Sequence, residues 1–251
     1  MSTSPNRSNG LSEKSILVVG VGGLGSPAAL ALARSGIGRL VLADDDVVEA
    51  SNLHRQILFR DDDVGADKLD AAWASLVRVA SESTRIELVR SRFLPDNARE
   101  LARSVDLVVE GADNYATKFL AADACALESR AVVHGSAVRW RATVWAVGSI
   151  GSPCYRCLFE DVPVDEAQLN CAEAGVMGPV AGLAGAMMAD LALRMLSNDE
   201  AAAGLVHTYD GLTDRLRSVA VTPRADCALC SPSRTIFDID EARYVGRSCA
   251  A

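Results

Sequence analysis

Short apolar runs rich in β-branched residues alternate along this chain with longer stretches whose apolar positions recur every three to four residues. Ile16 to Val19 is the first run, and Gly20-Val21-Gly22-Gly23-Leu24-Gly25 breaks it before an alanine- and leucine-rich segment. That order predicts strand, glycine turn and helix. Leu40 to Ala43 reads as a second strand ending at Asp44. Beyond Arg60, Leu69, Ala72, Trp73, Leu76 and Val77 recur at helical spacing, with Asp61 to Asp63 placed to cap that helix. Strands over Ile86 to Val89 and Val105 to Glu110 flank a helix over Asn97 to Ala102, and a further helix spans Tyr115 to Glu128. Ala131 to His134 and Thr143 to Val147 continue the sheet. A helix of small residues then reaches Leu196, and Val206 to Tyr209 with Leu216 to Val221 form a closing hairpin.

Strands that alternate with helices need crossover connections and so pair in parallel, whereas a hairpin is antiparallel. The expected fold is α/β: a Rossmann-like nucleotide-binding sheet, mostly parallel, continued by an antiparallel C-terminal part. Residues 1–14 are polar and are expected to be a flexible arm. Residues 15–230 are expected to be a single domain, with a nucleotide-binding half to about 135, followed by a polar tail over 231–251. The acidic link from Glu160 to Asn170 reads as a mobile loop. No internal repeat is visible.

The glycines carry the first chemistry. Gly20 permits the tight turn, Gly22 exposes backbone N–H groups to a phosphate, and Gly25 lets the helix close on the strand, with Gly23 in the same run. A phosphate there would lie at the positive end of the helix. Asp44, about 20 residues further on, is placed to accept hydrogen bonds from ribose hydroxyls. The competing reading is a glycine-rich turn that binds nothing, and the fingerprint alone does not separate NAD, FAD, ATP or S-adenosylmethionine. Lys68 near a helix start opposes the usual dipole preference, so either an anion or solvent holds it. Asp113 and Asn114 stand at a strand's carboxyl end, where such sheets bind ligands; Asp113 is a natural Mg²⁺ ligand there, or the pair is a turn capping the next helix. His134 reads as a satisfied strand-end histidine before it reads as a catalyst.

A formal net charge of −8 offers no footprint for nucleic acid. Asp190 and Arg194 interrupt the small-residue helix, and the first residues lack an apolar stretch, so a cytoplasmic protein away from membranes is expected. Of seven cysteines, Cys154 with Cys157 and Cys227 with Cys230 form two C-x-x-C pairs. Four thiolates suit a closed tetrahedral Zn²⁺ site that ties the chain's end to its middle; a redox C-x-x-C is the alternative. Cys171 belongs to neither pair and reads as a reachable nucleophile or as a buried residue before an apolar helix.

Ala43 to Phe59, ADDDVVEASNLHRQILF, together with GVGGLGSPAA, GADN, CYRCL, CAEAGVMGPVAG and CALC, resembles the ThiF/MoeB/HesA family, bacterial relatives of ubiquitin-activating enzymes. The likeness runs from Lys14 to Cys230 and is greatest to the thiamine-pathway branch. It implies an ATP-dependent adenylyltransferase that activates the C-terminal Gly-Gly carboxylate of a small ubiquitin-like sulfur-carrier protein and releases pyrophosphate. A homodimer and a downstream sulfur donor are the further partners it implies. By motif position, Gly20, Gly22, Gly23 and Gly25 would lie against the nucleotide and Asp44 would bind ribose. Asn52, Arg55 and Lys68 would address the phosphates, Gln56 would join the cofactor-binding set, and Asp113 would hold Mg²⁺ with Asn114 beside it. Arg55, Lys68, Asp113 and Cys171 would form the catalytic set, Cys171 through a sulfur linkage to the carrier.

One departure stands out. Family members open with a helix bearing an Arg-Tyr-x-Arg-Gln pattern whose arginine reaches the partner subunit's ATP, and MSTSPNRSNGLSEK has no match. Arg7 or Arg139 would take that role, or the enzyme would be slow or inactive. A non-catalytic scaffold that binds a ubiquitin-like protein is therefore the second reading. An NAD-dependent oxidoreductase is the third, and it leaves Ser51 to Gln56 and the paired C-x-x-C motifs unexplained. Thiamine, molybdopterin, tRNA thiolation, cysteine and secondary metabolism all use this chemistry, so the pathway stays open.

Overall fold

The computed structural model describes residues 10–149, 151–162 and 175–244. Strands β1 (Ser15–Val19), β2 (Arg39–Ala43), β3 (Arg85–Val89), β4 (Leu107–Glu110) and β5 (Ala131–Val138) alternate with helices α1 (Gly25–Ala33), α2 (Lys68–Leu76), α3 (Ala98–Arg103) and α4 (Tyr115–Leu127). After β6 (Arg141–Val147) come the single turn α5 (Tyr155–Leu158), the long helix α6 (Gly178–Leu196), β7 (Leu205–Asp210) and β8 (Arg215–Ala220). All eight strands form one sheet in the order β3-β2-β1-β4-β5-β6-β7-β8. The first five are parallel, and β5 to β8 form an antiparallel meander. The expected fold class is the one observed.

The sheet is covered on both faces, and strand alternation divides the core in two. Ile16, Val18, Leu40, Leu42, Leu107 and Val109 pack with α1, α2 and α6, while Leu17, Val19, Val41, Ala43 and Val108 pack with α3 and α4. Burial on both sides is why these strands read as continuous apolar runs. Fully burying a side chain such as Leu32 or Phe119 stabilises the fold by about 1.5–3 kcal/mol. Helix α6 is long and apolar enough to cross a membrane by length and composition. Here eight of its residues, Val180 and Met188 among them, are buried, and it packs on α1, β4, β5 and β6, so core burial accounts for its apolarity.

Several boundaries differ from the sequence reading. Asp61–Asp63 form a separate 3₁₀ turn instead of capping α2; Gly65, at φ +88°, turns the chain, and Asp67 caps α2 by accepting from Asp70 N. Trp73 and Val77 are half-exposed, because α2 buries only the Leu69, Ala72 and Leu76 side. Strands β5 and β6 run longer than expected, since each pairs with the other up to a tight turn at Val138 to Arg141. Most of the acidic link expected to be mobile, with Cys171, Arg7 and most of the N-terminal arm, lies outside the described residues. Residues 231–244 pack back on the body through Ile236 and Tyr244.

Candidate functional site

Register brings the site together. Val19 pairs with Ala43 on one side and Glu110 on the other, so Gly20, Asp44 and Gly111 leave the sheet at one level, at the switch point between β1 and β4. Gly20 has φ +80°, and a Cβ on Gly25 would collide with the Gly20 carbonyl, so both glycines are demanded by the turn and by helix–strand contact. At Gly22 a Cβ would meet only Gln56 Nε2 at 3.7 Å, so packing does not require glycine there. No side chain caps α1, but its Ser26 and Ala28 N–H groups donate to Gly22 O and Leu24 O, and it is the preceding turn, through Gly22 and Gly23, that lines the open end of the sheet.

A cavity of about 550 Å³ lies over this end. Gly20, Gly22, Gly23, Asp44, Asn52, Arg55, Gln56, Lys68, Asp113 and Asn114 line it together. Gly25 instead supports the turn from beneath. Asp44 is buried; its Oδ2 accepts from Val21 N at 2.7 Å and its Oδ1 from Asp46 N at 3.0 Å, so this carboxylate pins the glycine turn. Its remaining lone pairs are available to hydroxyl donors. Lys68, the first residue of α2, is buried and donates to the exposed Asp46 at 2.7 Å. Its ammonium is thus paired within the protein and not left to solvent. Arg55 donates to Asn52 Oδ1, and Asn52 Nδ2 donates to Glu49 at 3.0 Å, so the polar loop before Arg60 is internally ordered. Gln56 is buried, and its Oε1 has no partner among the described residues. Asp113 is exposed in the cavity wall, while Asn114 caps α4 by accepting from Thr117 N at 2.8 Å.

The strands contribute a second polar group that periodicity did not reveal. Glu110, at the end of β4, is fully buried. Lys118 Nζ donates to its two oxygens at 3.3 and 3.1 Å and also to Gly135 O, and His134 Nδ1 lies 3.1 Å from Oε2. Burial pushes the Glu110 carboxyl upward, but the Lys118 charge and the His134 hydrogen bond outweigh it and hold Glu110 below its usual range. Burial lowers the pKa of His134 despite that carboxylate, which favours the neutral ring. The signal in the sequence was a charged residue closing an otherwise apolar strand. Asp46, Trp145 and Tyr155 are further cavity residues to which the sequence reading gave no role.

The two C-x-x-C pairs meet. Cys154 Sγ lies 3.4 Å from Cys227 Sγ, Cys157 Sγ lies 3.4 Å from Cys230 Sγ, and all four sulfurs fall within 4.8 Å of one another. A tetrahedral zinc with Zn–S of about 2.3 Å needs sulfurs roughly 3.8 Å apart, so the donor set fits. Arg224 N donates to Cys157 Sγ at 3.4 Å, as a backbone amide does to a metal-bound thiolate. Beside this cluster, Arg156 makes a two-pronged pair with buried Asp123, both contacts at 2.8 Å, and Tyr244 donates to the same carboxylate. Arg139 is exposed on the β5–β6 turn at φ +53° and does not line the cavity.

A family model described as the ThiF family matches residues 3–229. The adenylyltransferase and sulfurtransferase MOCS3 of Anopheles gambiae is 38% identical over 239 residues, covering 94% of this chain and 54% of the relative. The SAMP-activating enzyme E1 of Haloferax volcanii is 37% identical over 236 residues, covering 94% of this chain and 86% of that protein. The chain thus spans about half the length of its MOCS3 relatives. The crystal structure of E. coli MccB with ATP superposes with a TM-score of 0.77 at 20% identity, covering 89% of this chain and 69% of that one, which shows a shared fold.

Proposed function

Since the chain belongs to the ThiF family, we propose that it is an ATP-dependent adenylyltransferase that activates the C-terminal carboxylate of a small ubiquitin-like sulfur-carrier protein ending in Gly-Gly. The observation that carries this is one cavity holding a glycine turn ahead of a helix, a buried lysine, an ordered arginine loop and the exposed carboxylate of Asp113.

The chemistry follows from those groups. The glycine-turn amides and Gln56 receive the nucleotide, and Asp44 takes the ribose hydroxyls. The carrier carboxylate attacks the α-phosphorus, an acyl–phosphate bond forms, and the bond to pyrophosphate breaks. Charge grows on the phosphate oxygens, where Arg55 and Lys68 stabilise it, Lys68 turning from the exposed Asp46 to reach them. Asp113, beside Asn114, is the residue to hold Mg²⁺, which when bound neutralises the departing pyrophosphate. No general base is needed, because the carboxylate is already ionised at neutral pH. Zn²⁺ on Cys154, Cys157, Cys227 and Cys230 leaves no coordination position open and so serves the fold. We further propose that the protein works as a homodimer in the reducing cytoplasm, that Cys171 receives the activated carrier, and that a downstream sulfur donor completes transfer.

The test is exchange of labelled pyrophosphate into ATP with Mg²⁺ and a carrier ending in Gly-Gly. Exchange that requires the intact tail and falls on the order of 100-fold or more in Asp113→Ala supports the reading. Carrier binding without exchange, from metal-loaded protein, replaces it with a scaffold role.

A further inference from the structure

One end of the cavity carries polar atoms that nucleotide binding leaves unexplained. His134 and Trp145 are direct partners across β5 and β6, so their side chains leave the same face of the sheet. They are 4% and 2% exposed, and both line the cavity. The Tyr155 ring holds them in place, 4.6 Å from His134 and stacked 5.9 Å from Trp145. The ring nitrogen of His134 that faces the Glu110 carboxylate is a donor, which leaves Nε2 as an acceptor, and among the described residues nothing donates to it. Trp145 Nε1 is the converse, a donor with no acceptor among the described residues. Buried polar atoms are rarely left unpaired, so two neighbours with opposite needs point to a ligand that supplies both.

An extended polypeptide does so. In a β-type chain the N–H and C=O of one residue point to the same side, as they do in a sheet ladder. Position argues against the nucleotide as the occupant. Asp44 follows β2 and the glycine turn follows β1, whereas β5 lies three strands from β2, roughly 14 Å at about 4.8 Å per strand. A nucleotide spread over β2, β1 and β4 leaves the β5–β6 end to the acyl substrate.

We propose that His134 and Trp145 form a backbone-reading site for the C-terminal tail of the polypeptide substrate, His134 Nε2 accepting an N–H and Trp145 Nε1 donating to a carbonyl. The site rests on the adenylation reading for the identity of that polypeptide. Both are positioning residues: they fix the register in which the tail's carboxylate arrives beside Asp113. The Glu110–Lys118 pair serves the site by orienting the imidazole and fixing its tautomer.

The chain has three tryptophans, so ¹⁵N-labelled protein gives three indole N–H signals, and Trp145→Phe assigns the one that matters. The probes are α,β-methylene-ATP alone, the same nucleotide with a ubiquitin-like carrier ending in Gly-Gly, and that carrier N-methylated in turn at each of its last four residues. Pyrophosphate exchange with ATP is measured in parallel. The expected result is a Trp145 signal that moves with carrier and not with nucleotide alone. Trp145→Phe and His134→Leu should raise the carrier KM about tenfold or more at unchanged KM for ATP. His134→Gln, which keeps an acceptor, should recover part of that loss. N-methylation at one tail position should weaken the wild type and leave His134→Leu indifferent, which a merely structural role would not produce. Exchange with an unmoved Trp145 signal, or a signal that moves with nucleotide alone, overturns the site and leaves adenylation standing. A carrier-dependent shift without exchange supports the tail site and removes adenylation, and neither signal removes both.

Discussion

Lys118 is the cation on which the buried end of β4 depends. Its ammonium faces a fully buried Glu110, and no other Lys or Arg is recorded on that carboxylate among the described residues. Lys118→Met should cost about 3–5 kcal/mol in urea unfolding, because it leaves a buried charge without its partner. Adding Glu110→Gln should restore part of the loss, since the charge is then gone. A double substitution no more stable than the single one would contradict this account. The residue scale is also where the sequence was least legible. Gly22, Asp44 and Asp113 follow a motif, but Glu110, Lys118, His134 and Trp145 come from separate strands and a helix, and only sheet register makes them neighbours.

At the scale of elements, α6 shows how one residue type plays two parts. A Cβ on Gly185 would strike the Leu24 carbonyl and the Pro27 ring of α1, whereas a Cβ on Gly182 would meet nothing within 4 Å. Gly185→Ala should therefore destabilise by about 1–3 kcal/mol through overpacking. Gly182→Ala should stabilise by about 0.5–1 kcal/mol, because alanine loses less backbone freedom in a helix. Opposite shifts in the thermal midpoint would confirm the α1–α6 contact. The small-residue helix was evident in the sequence; the face on which smallness is required was not. Likewise, the aspartates before α2 announced a cap, but the turn at Gly65 decided that Asp67 supplies it.

At the scale of the molecule, two clamps join the chain's end to its middle. The four cysteines bring the α5 turn to residues 227–230, and metal-loaded protein should carry about one zinc per chain by elemental analysis. Chelation or Cys227→Ser should lower the thermal midpoint, because binding free energy of the metal is folding free energy. The second clamp is Glu128, which follows α4 and pairs with Arg99 and Arg103 of α3 while Arg99 also reaches Asp238. Its hydrogen bond from Arg103, helped by Arg99, lowers the Glu128 pKa to about 2. A carboxylate depressed in the folded state stabilises it above the ordinary value of about 4.3, and that contribution fades as pH falls toward 2. Glu128→Gln should thus lower the thermal midpoint near pH 7 and shrink the difference from wild type as pH drops below 4. A difference that is constant with pH would rule this out.

The sequence by itself determined whatever depends on neighbours along the chain. Two-sided burial writes continuous apolar strands, a glycine turn needs glycine, and two short C-x-x-C spacings name four thiolates, so the fold class and the glycine-turn end of the cavity were both legible. The tertiary structure alone decided which side of α2 faces inward, which aspartate caps it, and that Lys68 rests on Asp46. It alone also gathered Glu110, Lys118, His134 and Trp145 at the β4–β6 end of the sheet. Those contacts span strands and helices far apart in sequence, and hydrogen-bond partners at that range are set by sheet order and register, which no local pattern encodes.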